Sequence, residues 1–185
     1  WASSYEDKRP ELTNAQRKML SHYDNATLYN DSIVAQIVKR FQKQDAIVIY
    51  VPDHGEECYE ENRGFICRNH SAEIDWPLAH YEFEIPFWIY CSPKYIRNHR
   101  DIYRQIRKAK DKRFMTDALP HLLLYLAGIE TPTYKEEYNI LSPKYDEMRP
   151  RILKNSADYD KLRDAHLEKI KKEESKKVKK KERRN

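Results

Sequence analysis

The sequence has 185 residues, 39% hydrophobic and 35% charged, with only 3 glycines. That suits one ordinary domain with its own core, and no apolar run reaches the roughly 18–20 residues of a membrane span. The net charge is +5, but the stretch Lys169 to Asn185 holds ten Lys or Arg against three Glu, a net of +7 that leaves −2 for the rest, so the body of the chain is not a basic nucleic-acid binder.

The chain opens at Trp1 rather than Met, which suggests a processed chain, an excised domain or a truncated reading frame, so the lack of a basic-then-apolar leader at Trp1 to Tyr5 says nothing about the parent protein. Thr13 and Asn14 precede a short helical stretch. A stronger helix is expected from about Asp31, with Asp31 and Ser32 as N-cap residues and Val34, Ile37, Val38 and Phe41 on its apolar face. The run Ala46 to Val51 is apolar and β-branched without alternation, the pattern of a strand covered on both faces, as in a parallel sheet. Helix, short turn and buried strand make the α/β pattern, whose ligands sit beyond the carboxyl ends of the strands.

From Cys58 to Tyr81 the chain is polar and reads as a long loop. Cys58 and Cys67 have a spacing that suits a loop disulfide, and Cys91 reads as a buried thiol. A second strand is expected over residues 85–91, with Ser92 and Pro93 closing it, then a charged helix from Arg97 to Lys112 touching the core through Ile102 and Ile106. Thr116 and Asp117 start another helix with Pro120 in its first turn, Leu122, Leu123, Leu126 and Ala127 on its core face, and Gly128 as its C-terminal cap. The chain beyond Thr131 is irregular and leads into a charged tail, helical or disordered, over residues 151–185. The tail is either solvated or drawn to anionic lipid headgroups; it has no interleaved aromatics, so nucleic acid is not the expected partner.

Directly after the first strand stands Pro52-Asp53-His54-Gly55-Glu56-Glu57. Adjacent residues point to opposite faces within a strand, but on a turn past its end Asp53 and His54 can converge on one cation. Carboxylate oxygen and imidazole nitrogen suit Zn²⁺ or another divalent ion. The pair also fits a surface turn, and two ligands do not complete a zinc site.

The stretch from Ile47 to Glu57 resembles the strand and metal motif of sulfatase-like phosphoethanolamine transferases, which carry Ser-Asp-His-Gly-Glu where this chain has Pro52 in place of the Ser. Four further segments match in the same order: Tyr23 to Tyr29 with Asp31 to Ile33, Phe83 to Ser92, Phe114 to Leu123 with Leu126 to Ile129, and Asn139 to Ser142. The resemblance covers about residues 5–150.

It implies an alkaline-phosphatase- and sulfatase-like α/β sandwich, with a mostly parallel central sheet between helices, present here in part. Residues 1–150 would be the C-terminal part of the catalytic domain. Asp53 and His54 would hold Zn²⁺ (another divalent metal would also suit them). His70 would contact the transferred phosphate or a second metal, while Glu56 and Glu57 read as carboxylates behind the ligands or in solvent rather than as direct ligands. No catalytic nucleophile is expected in this chain, since the family's Thr lies upstream. The family takes phosphoethanolamine from phosphatidylethanolamine and gives it to a lipopolysaccharide acceptor, at lipid A or the core. Its catalytic domain faces the periplasm from an N-terminal anchor in the bacterial inner membrane. The rival readings are another hydrolase or a glycerol-phosphate transferase of the same superfamily, and an inactive fragment. With partner strands missing, the isolated piece is expected to be poorly soluble.

Overall fold

The computed structural model describes residues 8–67 and 73–182. In chain order the elements are α1 (Asn14–Phe41), β1 (Ile47–Tyr50), β2 (Glu57–Cys58), β3 (Phe65–Cys67), α2 (Trp76–Phe83), β4 (Trp88–Cys91), α3 (Pro93–Asn98), α4 (Arg100–Ala109), α5 (Leu119–Ala127), β5 (Ile152–Leu153), β6 (Ala157–Asp158) and α6 (Tyr159–Glu182). They fall into two units. One takes the chain up to residue 68 together with 85–103, and the other takes 69–84 with 104–185.

In the first unit, α1 is one helix of 28 residues, not two. Its start is fixed by a capping box: Gln16 N donates to Thr13 Oγ1 at 3.3 Å, and Thr13 N donates to Gln16 Oε1 at 2.7 Å. The N-cap expected at Asp31 and Ser32 does not form. No Gly or Pro interrupts residues 14–41, and the Ser32 hydroxyl donates back to Tyr29 O at 2.7 Å inside the helix.

β1 forms where the apolar run stands. It pairs with β4 from Ile47 opposite Cys91 to Tyr50 opposite Trp88, and the Tyr50 and Trp88 rings stack at 5.2 Å. This pair is antiparallel and all its residues are half-buried, unlike the parallel, doubly covered strand expected. An unbroken apolar run reports how much a strand buries, and an antiparallel neighbour suits it as well as a parallel one. Ser92 follows β4 and joins three segments. Its hydroxyl donates to Gln44 O at 2.6 Å and accepts from Ala46 N at 3.4 Å and from Tyr95 N at 3.0 Å, the last capping α3. Leu12, Leu20, Cys58 and Tyr59 form this unit's buried cluster, with Tyr23 packed on it.

The polar stretch read as a loop contains structure. β2 and β3 pair antiparallel, and Gly64 sits between them at φ +94°, a conformation open to glycine and strained for other residues. The side chain of Cys67 lies outside the described residues, so the expected Cys58–Cys67 bridge does too. Cys91 is a half-buried free thiol, and burial raises its pKa.

In the second unit, Asp75 caps α2 by accepting from Leu78 N at 3.0 Å, with Pro77 in the first turn. Ile74, Leu78, Ala79, Leu153 and Tyr159 form its buried cluster, with Trp76, Phe83 and Leu162 packed against it. α5 ends as expected, with Gly128 left-handed at φ 65°, and Pro120 lies in its first turn, but it begins at Leu119, after a separate 3-10 turn over Thr116–Ala118 where the start was expected. Its buried face is narrower than expected, because Leu122 is fully buried while Leu123 and Ala127 are exposed. Asn139 is also fully buried. Its Nδ2 donates to Tyr134 OH at 2.9 Å and its Oδ1 accepts from Leu141 N at 3.1 Å. In the tail, β5 and β6 pair antiparallel and α6 follows, started by Asp158 Oδ1, which accepts from the backbone N–H of Asp160 and Lys161. Among the described residues no helix is long and apolar enough to cross a membrane.

Candidate metal centre

Asp53 and His54 lie on the bend between β1 and β2, wholly inside the first unit. β1 aims the chain at this bend, and β2 carries it away into a buried pair. Asp53 is exposed, and His54 keeps a quarter of its side-chain surface. His54 Nδ1 is 2.7 Å from Gly55 O. A carbonyl can only accept, so this contact holds a proton on Nδ1, and in the neutral ring Nε2 is then the nitrogen with the free lone pair. That nitrogen stands 3.7 Å from Asp53 Oδ1. Two ligands at opposite corners of a tetrahedral zinc edge are roughly 3.3–3.4 Å apart, so a small closing movement would bring both atoms onto one ion. A ligating histidine that gives its other N–H to a backbone carbonyl is the usual support for a metal bond. The donor set therefore fits zinc as two of its ligands. Among the described residues, no group of three or more His, Cys, Asp or Glu is placed to hold a metal.

Behind the bend, Glu57 is fully buried and Arg63 Nε reaches its Oε1 at 2.5 Å. This pair fixes β2 against the turn before β3. Glu56, the other carboxylate named from the sequence, is half-buried. Tyr23, on α1, is close enough to Glu56, Cys58 and Glu60 to feel their charge, and burial raises its hydroxyl pKa. Tyr23 stands in one of the segments that match the family, and helix spacing along α1 gives no sign that it reaches this region. His70 lies outside the described residues.

The sulfatase family's sequence model matches residues 1–129. The chain belongs to the sulfatase family. Among curated relatives, it is 30% identical over 141 residues to phosphoethanolamine transferase EptC of Escherichia coli (strain K12), covering 75% of this chain and 23% of that protein. It is 31% identical over 104 residues to the Kdo(2)-lipid A phosphoethanolamine 7''-transferase of the same strain, covering 55% of this chain and 17% of that one. The chain thus spans about a quarter or less of these relatives. Among solved structures it matches the C-terminal periplasmic domain of EptC from Escherichia coli, with a TM-score of 0.65 and 28% identity over 82% of this chain and 43% of that one. A second structure of that domain, in complex with Zn, matches with the same TM-score over 42% of its length. The expected family and its α/β fold are therefore borne out, and the matched relatives are phosphoethanolamine transferases.

Proposed function

We propose that this chain is part of a zinc-dependent phosphoethanolamine transferase that modifies a lipopolysaccharide glycolipid, at lipid A or the core, on the periplasmic side of the inner membrane. The observation that carries the reading is the 2.7 Å contact of His54 Nδ1 with Gly55 O. Nδ1 is committed to Gly55 O, so Nε2 faces the Asp53 carboxylate as a second metal donor. The names of the relatives, and a relative's structure in complex with Zn, agree with it.

A bound zinc would supply a Lewis acid that lowers the pKa of a nucleophilic hydroxyl and offsets charge on the transferring phosphoryl group. Asp53 would hold the ion and partly neutralise it. His54 would bind as neutral imidazole, held in its tautomer by Gly55 O. His70, from the loop that follows, would hydrogen-bond the phosphate. The nucleophile is a Thr outside this chain. Its oxygen bonds to phosphorus as the bond to diacylglycerol breaks and diacylglycerol takes up a proton. An acceptor hydroxyl then bonds to phosphorus and frees the Thr.

The test is metal content and transfer to lipid A in the intact protein, native and with Asp53→Ala or His54→Ala. The native protein should hold about one zinc and transfer, and each variant should lose both. Variants that keep metal and full transfer would reduce the bend to a surface turn. A native protein that hydrolyses an aryl sulfate but moves no phosphoethanolamine would belong to another chemistry of the superfamily.

A further inference from the structure

Helix α6 is held at one end only. Asp158 caps it, Tyr159 and Leu162 pack into the second unit's core, and His166 stacks on Trp76 at 5.1 Å. From Leu167 to Lys177 every residue is exposed. The helix nevertheless continues to Glu182, so roughly 24 Å of it projects beyond Leu167. Among the described residues its side chains bond only within the helix, through the Glu168–Lys172 pair at 3.4 Å and the Ser175 hydroxyl, which donates to Lys171 O at 2.8 Å, and the net charge from Lys169 on is +7. A helix this polar and unpacked is costly to keep unless something meets it.

Its surface chemistry narrows the partner. Lys171, Lys172, Lys176 and Lys177 are exposed, and Leu167 and Ile170, three residues apart on one side, keep 45% and 39% of their surface. No aromatic residue occurs from Leu167 to the end of the sequence, so there is no stacking platform for bases. Basic residues around a short apolar strip match an anionic bilayer surface, where the ammonium groups meet lipid phosphates and the apolar side chains reach the headgroup boundary.

We infer that the outer part of α6 is a docking element that lays the second unit against an anionic membrane surface. It acts by adsorption and spans nothing. This role does not depend on the metal-site reading, because Asp53 lies in the other unit.

The test is co-sedimentation of the full 185-residue chain with vesicles of phosphatidylcholine alone, or containing about 30 mol % phosphatidylglycerol. Native chain should bind the anionic vesicles at low salt, leave the neutral ones in solution, and detach near 0.5 M salt. The combined variant Lys171→Gln, Lys172→Gln, Lys176→Gln and Lys177→Gln removes four exposed charges and should bind at least about tenfold more weakly with unchanged far-UV dichroism. Asp53→Ala should bind like the native chain, which separates this result from any failure of the transferase reading. Equal binding to both vesicle types, or an unaffected quadruple variant, would overturn the proposal. Tighter binding to single-stranded RNA than to anionic vesicles at equal salt would overturn it in favour of nucleic acid.

Discussion

Arg63 Nε lies 2.5 Å from Glu57 Oε1 in an ion pair, and the carboxylate it meets has no solvent exposure. Arg63→Ala takes the guanidinium from a buried charge. The expected loss is about 3 kcal/mol, the low end for a broken buried pair, because Arg63 keeps 29% of its side-chain surface. Glu57→Gln with Arg63→Ala should recover part of that loss. Urea melts of the four forms check this, and additive losses would show that the two side chains do not interact.

Tyr159 gives the second unit an alkaline limit. Burial and its hydrogen bond to Glu84 raise its hydroxyl pKa to about 12. Between the ordinary tyrosine value near 10 and about 12, the unfolded chain has lost the proton and the folded chain keeps it. Stability from this group is therefore whole below pH 10 and falls as pH rises through that window. Tyr159→Phe should cost about 1–2 kcal/mol at neutral pH and flatten the alkaline slope. An unchanged slope in melts from pH 9 to 12 would assign the alkaline loss to other groups.

Asp160 and Asp117 set the acid limit. Hydrogen bonds from Arg151 to Asp160 and from Arg149 to Asp117 lower their pKa values from 3.8. A depressed carboxylate stabilises above its unfolded value, and the contribution is lost as pH falls through the folded one. Melting temperature should thus drop below about pH 4, and more gently in Asp160→Asn, which starts lower at neutral pH. Identical acid profiles for native and variant would place the acid transition elsewhere.

Two glycines should respond alike to alanine and for the same reason. Gly64 at φ +94° and Gly128 at φ 65° face open space, so an added methyl group meets nothing and only the backbone conformation resists it. Each substitution should cost about 1–2 kcal/mol, with Gly64 the more sensitive because its φ lies further from the left-handed helical value. Losses below a few tenths of a kcal/mol would mean that the turns relax around the new residue.

The sequence revealed elements wherever local signals were sufficient. The apolar run at 46–51, Pro120 and Gly128 each specify a segment through propensity or backbone geometry, and each stands where expected. α1 runs straight through Asp31 and Ser32 because cap chemistry alone gives no reason to stop a helix already started by Thr13. The β2–β3 pair escaped because its strands are two and three residues long, and α2 escaped although Asp75-Trp-Pro is a good start signal in a polar stretch. Asp53 and His54 were legible because the strand delivers them to one bend. The Glu57–Arg63 contact and the place of Tyr23 were not, since both depend on pairings that no periodicity records.

Ser92 has a further consequence. One hydroxyl ties Gln44, Ala46 and Tyr95, so the turn before β1 and the first turn of α3 share a fastening, to which Asn98 Nδ2 adds a bond to Asp45 Oδ2 at 2.7 Å. Neither can open by fraying alone. Their amides should exchange with deuterium at one common rate, and Ser92→Ala should release both together, making this corner the smallest cooperative opening unit of the sheet that leads to Asp53.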